Sequence, residues 1–307
     1  MRGPRPGRTP TLSGVEAVPD PVEQVRTWLG GHLRHFFTGR STPGPAFGRP
    51  EGDDGLFGPG SVTWRVHADR SMLIGGLRAL LLQTLHPLAM AGVAEHSDYR
   101  RDPGRRLHRT AAFVMVTTYG STAEAEAAIE AVQRVHEQIR GVTPDGVPYR
   151  ATDPALLAWV HATEVDSFAR AYQRHGQGRL SSADLDCYVA EMAEVAERIG
   201  VLDAPRSWAA LQGYLHDVRA ELRVTPEARQ GVCFLLAPPI PLAAKPAYGI
   251  VAAAAVALLP RFARRELWLP VPPLVEPVAV RPATAVLLGV VGWALGPPAA
   301  RAAAAAS

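Results

Sequence analysis

Proline-led helix starts, each answered by a stop signal, constrain this chain more than any other feature. Asp102-Pro103 pairs a side-chain cap acceptor with a residue whose fixed φ and missing N–H suit the first helical position. Gly120 closes that helix after Tyr119, and Ser121 with Glu124 then reads as a capping box for an alanine-rich helix running to Gly141. After the turn signal Thr143-Pro144-Asp145-Gly146, Asp153-Pro154 repeats the cap-plus-proline device and opens a helix that lasts to Gly176. Upstream, Ser71 is placed to cap a helix through Leu73, Leu77, Leu80 and Leu81 to His86, where Pro87 ends or kinks it, and a short segment follows over 88–94. Downstream, the pattern predicts helices over 182–199, 205–222 and 226–236. No alternating strand pattern of useful length occurs. The fold class is therefore all-α, a globin-like or bundle-like set of helices.

Three stretches follow. Residues 1–60 are dense in Pro and Gly and read as a loosely docked arm with one short helix around 22–37; 61–236 carry the helical domain; 237–307 form an apolar, proline-rich segment expected to pack on that domain. Two pieces of this last segment, 247–259 and 283–295, are strongly apolar, yet each falls short of the roughly 20 residues a spanning helix needs. The basic cluster Arg261, Arg264 and Arg265 after Pro260 suits either a helix terminus or lipid headgroups. Buried core is the expectation, with peripheral membrane contact as the other reading.

At 307 residues and 47% apolar content the chain can bury one substantial core. Its +3 charge is carried by arginines scattered among acids, Lys245 being the only lysine, so the clustered basic stripe of a nucleic-acid binder is missing. Cys187 and Cys233 are too few for a disulfide framework or a cysteine-rich zinc site. Residues 1–20 contain no apolar h-region, and a cytoplasmic location, with peripheral membrane contact as a variant, is expected.

The candidate chemistry lies between His86 and His161. On the helix after Ser121 an apolar face passes through Ile129, Val132 and Ile139 and includes His136. On the helix after Asp153, His161 shares a face with Leu157, Phe168 and Tyr172, and Glu164 lies within reach of its ring. A lone inward histidine is usually satisfied by a backbone carbonyl, but two on successive helices suggest a shared site. His86 before Pro87 and His96 after Glu95 stand at helix ends, where a cation is favourable or a ligand can project. Arg106, Arg109, Thr110, Phe113 and Thr117 recur at three- and four-residue spacing on one side of the helix after Asp102. That side either faces solvent or presents guanidinium groups to a bound anion. The chain has no H-E-x-x-H, P-loop or G-x-S-x-G, and the Glu-x-x-His pairs of a di-iron bundle are absent, since Gln83, Gln133 and Ala158 stand three residues before His86, His136 and His161.

The ordered series Leu85-His86-Pro87, Glu95-His96-Ser97, Asp102-Pro103 and Arg105-Arg106-Leu107-His108-Arg109-Thr110 resembles the family of latex-clearing rubber oxygenases and MpaB-type oxygenases. The likeness continues through Val135-His136, Gly141, Asp145-Gly146, Tyr149-Arg150-Ala151, Asp153-Pro154 and Trp159-Val160-His161; it is strongest over 64–176 and looser beyond. The resemblance implies a helical domain enclosing haem b that uses O2 on an apolar, prenyl-type substrate. By the same resemblance His136 corresponds to the proximal iron ligand, His161 to a second histidine supporting the pocket, and Arg106 and Thr110 to a polar pair on the distal side. His86, His96 and Arg109 join the expected cofactor-binding set. Arg109 departs from the rubber-oxygenase branch, where a lysine can ligate the iron; arginine stays protonated and is not a normal axial ligand. A five-coordinate or water-ligated iron is thus expected, and a small apolar molecule fits better than polymeric rubber. Two readings compete. One is a non-catalytic helical protein that binds haem or a lipid; the other is a hydrolase or transferase using His161 and Glu164 as an acid–base pair.

Overall fold

The computed structural model describes residues 49–97 and 103–296, together with the isolated positions 23, 27 and 31. Most of the N-terminal arm, the Asp102 cap and the extreme C-terminus lie outside the described residues. Within them the chain forms twelve α-helices and one small β-hairpin. In order these are α1 (Val62–His67), α2 (Met72–Gln83), α3 (Pro87–His96), α4 (Pro103–Tyr119) and α5 (Thr122–Gln138), then β1 (Arg140–Val142) and β2 (Pro148–Arg150). They continue as α6 (Pro154–His175), α7 (Ser182–Ile199), α8 (Trp208–Asp217), α9 (Pro226–Leu236), α10 (Lys245–Leu258), α11 (Arg261–Glu266) and α12 (Arg281–Leu295).

Local chemistry sets most of these boundaries. Ser121 and Ser181 each form a complete capping box, with Glu124 and Asp184 respectively, and Asp153 and Thr225 accept backbone N–H groups ahead of Pro154 and Pro226. Ser71 does not cap α2 with its side chain; instead Asp69 accepts the Ser71 N–H at 2.8 Å. The helix expected to reach Gly141 stops at Gln138, because 140–142 and 148–150 pair antiparallel across a turn with Gly146 at φ +84°. The helix expected over 205–222 starts at Trp208, capped by Ser207, and tightens into a 3-10 turn at Val218–Glu221.

The centre of the fold is the contact of α2 with α6. Gly75 makes it possible: a Cβ there would lie 2.7 Å from Phe168 Cδ1 and 3.1 Å from its Cα. A charge pair crosses the same contact. Arg78, fully buried, approaches Asp166 at 2.8 Å, donates to Ser167 Oγ at 2.6 Å and caps the last carbonyl of α10, Leu258 O, at 2.9 Å. The C-terminal segment is thereby tied into the core: Ala252, Ala254, Ala255, Leu259 and Leu288 pack with Ile74, Leu81, Leu85 and Trp159 in one apolar cluster.

A second cluster joins α1, α4, α6, α7 and α8 through Val66, Val114, Val165, Phe168, Tyr188 and Leu211. Residues 49–60 are docked against it. The Arg49 guanidinium donates to the Tyr119 and Thr118 carbonyls at 2.9 and 3.1 Å and stacks over Trp64, while Asp53 accepts from the Thr122 N–H and hydroxyl at the start of α5. The final helix is longer than its composition suggested. A π-helical turn at Glu276–Val280 runs into α12 and gives a 20-residue stretch of mean hydropathy 1.7, long and apolar enough to cross a membrane, one third of it buried in the fold. Its exposed side carries Val278, Val286, Val290 and Trp293.

Candidate functional site

Helices α4 and α5 form an antiparallel hairpin joined by the short turn Gly120-Ser121. The first turns of α4 therefore lie beside the last turns of α5, which brings Arg106, Arg109 and Thr110 to the same end of the hairpin as His136. Arg106 is half-buried; Arg109 and Thr110 are exposed, and Thr110 Oγ1 donates back to the Arg106 carbonyl at 3.2 Å. The stripe that begins with these residues turns inward further along, where Phe113 is half-buried and Thr117 is buried. This face is thus divided, with Arg109 and Thr110 toward solvent at the N-terminal end and Thr117 toward the bundle at the C-terminal end. His136 occupies the last turn of α5, half-buried, and burial lowers its pKa, so the ring is neutral near pH 7.

His161 projects from the middle of α6. Its Nε2 is buried without a hydrogen-bond partner, and burial brings its pKa down to about 4. Glu164, one turn on, is pushed up to about 7 by burial alone. Both keep part of their surface accessible although protein crowds them closely. Helices α5 and α6 make little contact with each other; each rests on α7, with Gln133 Nε2 donating to the Arg198 carbonyl at 2.7 Å. His136 and His161 thus share a neighbour, not a direct helix contact.

The remaining expected residues fall elsewhere. His86 is the N-cap position of α3, with its ring centroid 6.2 Å from that of Trp159 and Nε2 3.7 Å from the Glu221 carboxylate. Trp159 and His161 point about 200° apart around α6, so His86 packs on the side away from His161. His96, in the last turn of α3, lies 3.9 Å from Glu95 and edge-on to Tyr149. Tyr149 in turn donates to the Glu95 carboxylate, and both groups crowd the position a Gly141 side chain would need.

One buried polar group carried no sequence signal of its own. His67, the last residue of α1, is buried between Thr118 and Tyr188, 2.7 Å from Thr118 Oγ1 and 3.0 Å from Tyr188 Oη. The Thr118 hydroxyl already donates to the Val114 carbonyl at 2.7 Å, so it accepts from His67 Nδ1–H. Nε2 is then the acceptor for the Tyr188 hydroxyl. This tautomer keeps the ring neutral, and burial takes its pKa down to about 3. Glu164 is close enough to Tyr188 to raise the phenol's pKa further, which links Glu164, Tyr188 and His67 in one polar group beside the second cluster. Among the described residues no three His, Cys, Asp or Glu side chains converge to hold a metal ion.

The family model described as "ER-bound oxygenase mpaB/B'/Rubber oxygenase, catalytic domain" matches residues 64–302. The chain belongs to this family. It is an oxygenase, and the all-α domain described above is its catalytic domain. No curated protein and no solved structure matches it.

Proposed function

We propose that the chain is a haem b-dependent oxygenase acting with O2 on an apolar small molecule of prenyl type. The observation that carries this reading is a pair of half-buried, neutral histidines on the α4–α7 side of the molecule. His136 sits at the end of the α4–α5 hairpin that also bears Arg106 and Arg109, and His161 has a ring nitrogen with no partner. A haem asks the protein for one axial imidazole and for cations near its propionates, and this donor set fits that demand. When bound, the haem would supply the site that activates O2.

The chain's own residues would do the rest. His136, kept neutral by burial, has a ring nitrogen lone pair free to ligate iron near pH 7. Arg106 and Arg109 offer guanidinium forks to carboxylates, and neither can lose its proton to become a ligand. Thr110 Oγ1, hydrogen-bonded to Arg106 O, is held in one orientation beside them. Glu164, with a pKa of about 7, can hold or release a proton at its carboxyl. Leu107, Phe113 and Ile139 supply apolar surface that would seat a hydrocarbon and limit water. His161 would pack beside the cofactor as a neutral polar support. The family description includes rubber oxygenases, and rubber is an isoprenoid polymer, which supports a substrate of that class.

The test is an absorption spectrum of protein produced with a haem precursor, recorded as isolated, after dithionite and after carbon monoxide. A Soret band that moves at each step is expected. A protein that stays colourless and takes up no added haem would overturn the cofactor assignment.

A further inference from the structure

A cavity of about 310 Å³ lies on the Asp166 side of α6, between α2, α8 and the junction of α10 with α11. Its charge is unbalanced. Arg78, Arg170 and Arg219 line it, and Asp166 is the only carboxylate among the lining residues. Asp166 is shared: Arg78 approaches it at 2.8 Å, and Arg170 Nε and Gln212 Nε2 each donate to it at 2.8 Å. Two guanidinium groups therefore draw on one buried carboxylate. The third, Arg219, lies 4.5 Å over the Phe262 ring and has no carboxylate partner among the described residues. Trp159 also lines the cavity; it is 1% exposed, and its indole N–H donates to nothing among the described residues. Beside these cations and this unused donor stand the apolar walls Leu82, Leu215 and Phe262.

Arg78 is answered by Asp166, but Arg170 and Arg219, both partly open to solvent, bring two more cationic heads beside apolar walls, an arrangement that an amphipathic anion would complete. The apolar walls would exclude a fully hydrated ion, and the cavity is at the lower end of the size range of small-molecule sites. We propose that this cavity binds a small amphipathic acid. Its carboxylate is held by the arginine-rich end, and its short alkyl part lies against Leu82, Leu215 and Phe262. The site is separate from the His136 end of the α4–α5 hairpin and does not depend on haem.

Isothermal titration of the full chain tests this with three probes: decanoate, the neutral 1-decanol and inorganic phosphate. Decanoate is expected to bind at one site, with decanol and phosphate each at least tenfold weaker, since one lacks the charge and the other the tail. Arg219→Gln, an exposed change, should weaken decanoate about tenfold or more. Leu215→Trp should abolish binding by filling the cavity, with helical circular dichroism confirming that the variant is folded. His136→Ala should bind decanoate as the parent does, which separates this site from the haem reading. Equal binding of decanoate and decanol, or decanoate binding by folded Arg219→Gln and Leu215→Trp at parental affinity, would overturn the proposal.

Discussion

The two sides of α6 each crowd ionisable groups with protein and treat them in opposite ways. On one side Asp166 stays charged because Arg78 and Arg170 replace the water it lost, and their charges hold its pKa down against burial. On the other, Glu164, His161 and His67 have no charged partner close enough to offset burial, and each shifts toward its neutral form. Burial alone therefore does not decide ionisation; the geometry of neighbouring donors does. The charged side fastens helices together, whereas the other side holds Glu164, His161 and His67 shifted toward their uncharged forms.

Removing one partner on the charged side should have the largest effect. Asp166→Asn leaves Arg78 buried without a counter-charge and should cost about 3–5 kcal/mol in urea unfolding. A loss below about 1 kcal/mol would mean that water or the Leu258 carbonyl already satisfies Arg78. On the neutral side the effect depends on pH. The folded pKa of Glu164 is raised, so the native state loses stability as pH climbs from the unfolded value of 4.5 to about 7. Glu164→Gln escapes that loss, and its advantage should grow from near zero at pH 4 to as much as about 3 kcal/mol above pH 7. A flat difference across that range would show that Glu164 is not buried as described.

His67 and His161 work in the reverse direction. Their folded pKa values of about 3 and about 4 are depressed, so the stability they permit is present above pH 6.5 and lost as pH falls toward those values. Thermal unfolding of the parent should accordingly decline on both the acid and the alkaline side of roughly pH 6. Gly75→Ala tests the packing between the two sides. The added methyl collides with the Phe168 ring and backbone, and a loss of about 1–3 kcal/mol is expected, read from the shift in urea midpoint. His136→Ala, in the last turn of α5 and off α6 altogether, should change stability least, by under about 0.5 kcal/mol, while removing bound haem. Full haem content in that variant would transfer the ligand role to His161.

Helix ends were legible wherever a side chain acts on its own backbone. Ser121 with Glu124, Asp153-Pro154, Ser181 with Asp184, and Thr225-Pro226 are local devices, and the helices begin where they stand. Ser71 misled because Asp69, two residues earlier, competes for the same role. The stop at Gln138 was hidden because it depends on pairing with 148–150 across a turn. At the site, His136 and His161 were visible as polar interruptions of apolar faces. His67 was not, because its meaning lies in Thr118 and Tyr188 on two other helices. Arg78 offered a signal that was passed over, a lone charge within Leu77-Arg78-Ala79-Leu80-Leu81-Leu82. Which carboxylate answers it depends on the approach of α2 to α6, and that depends on Gly75.

Helix α4 is fixed at one end. Arg49, the Thr118 contact with His67 and the Trp64–Tyr119 ring pair all grip its C-terminal turns, while the part bearing Arg106 to Thr110 rests chiefly on α5. It behaves as a cantilever, stiff at the root and compliant at the tip. Amide hydrogen exchange along α4 should then form a gradient, slowest around Thr118 and quickening toward Arg106. If haem binds as proposed, the residues that would meet it lie on the less constrained end of the helix, away from the contacts that hold the core.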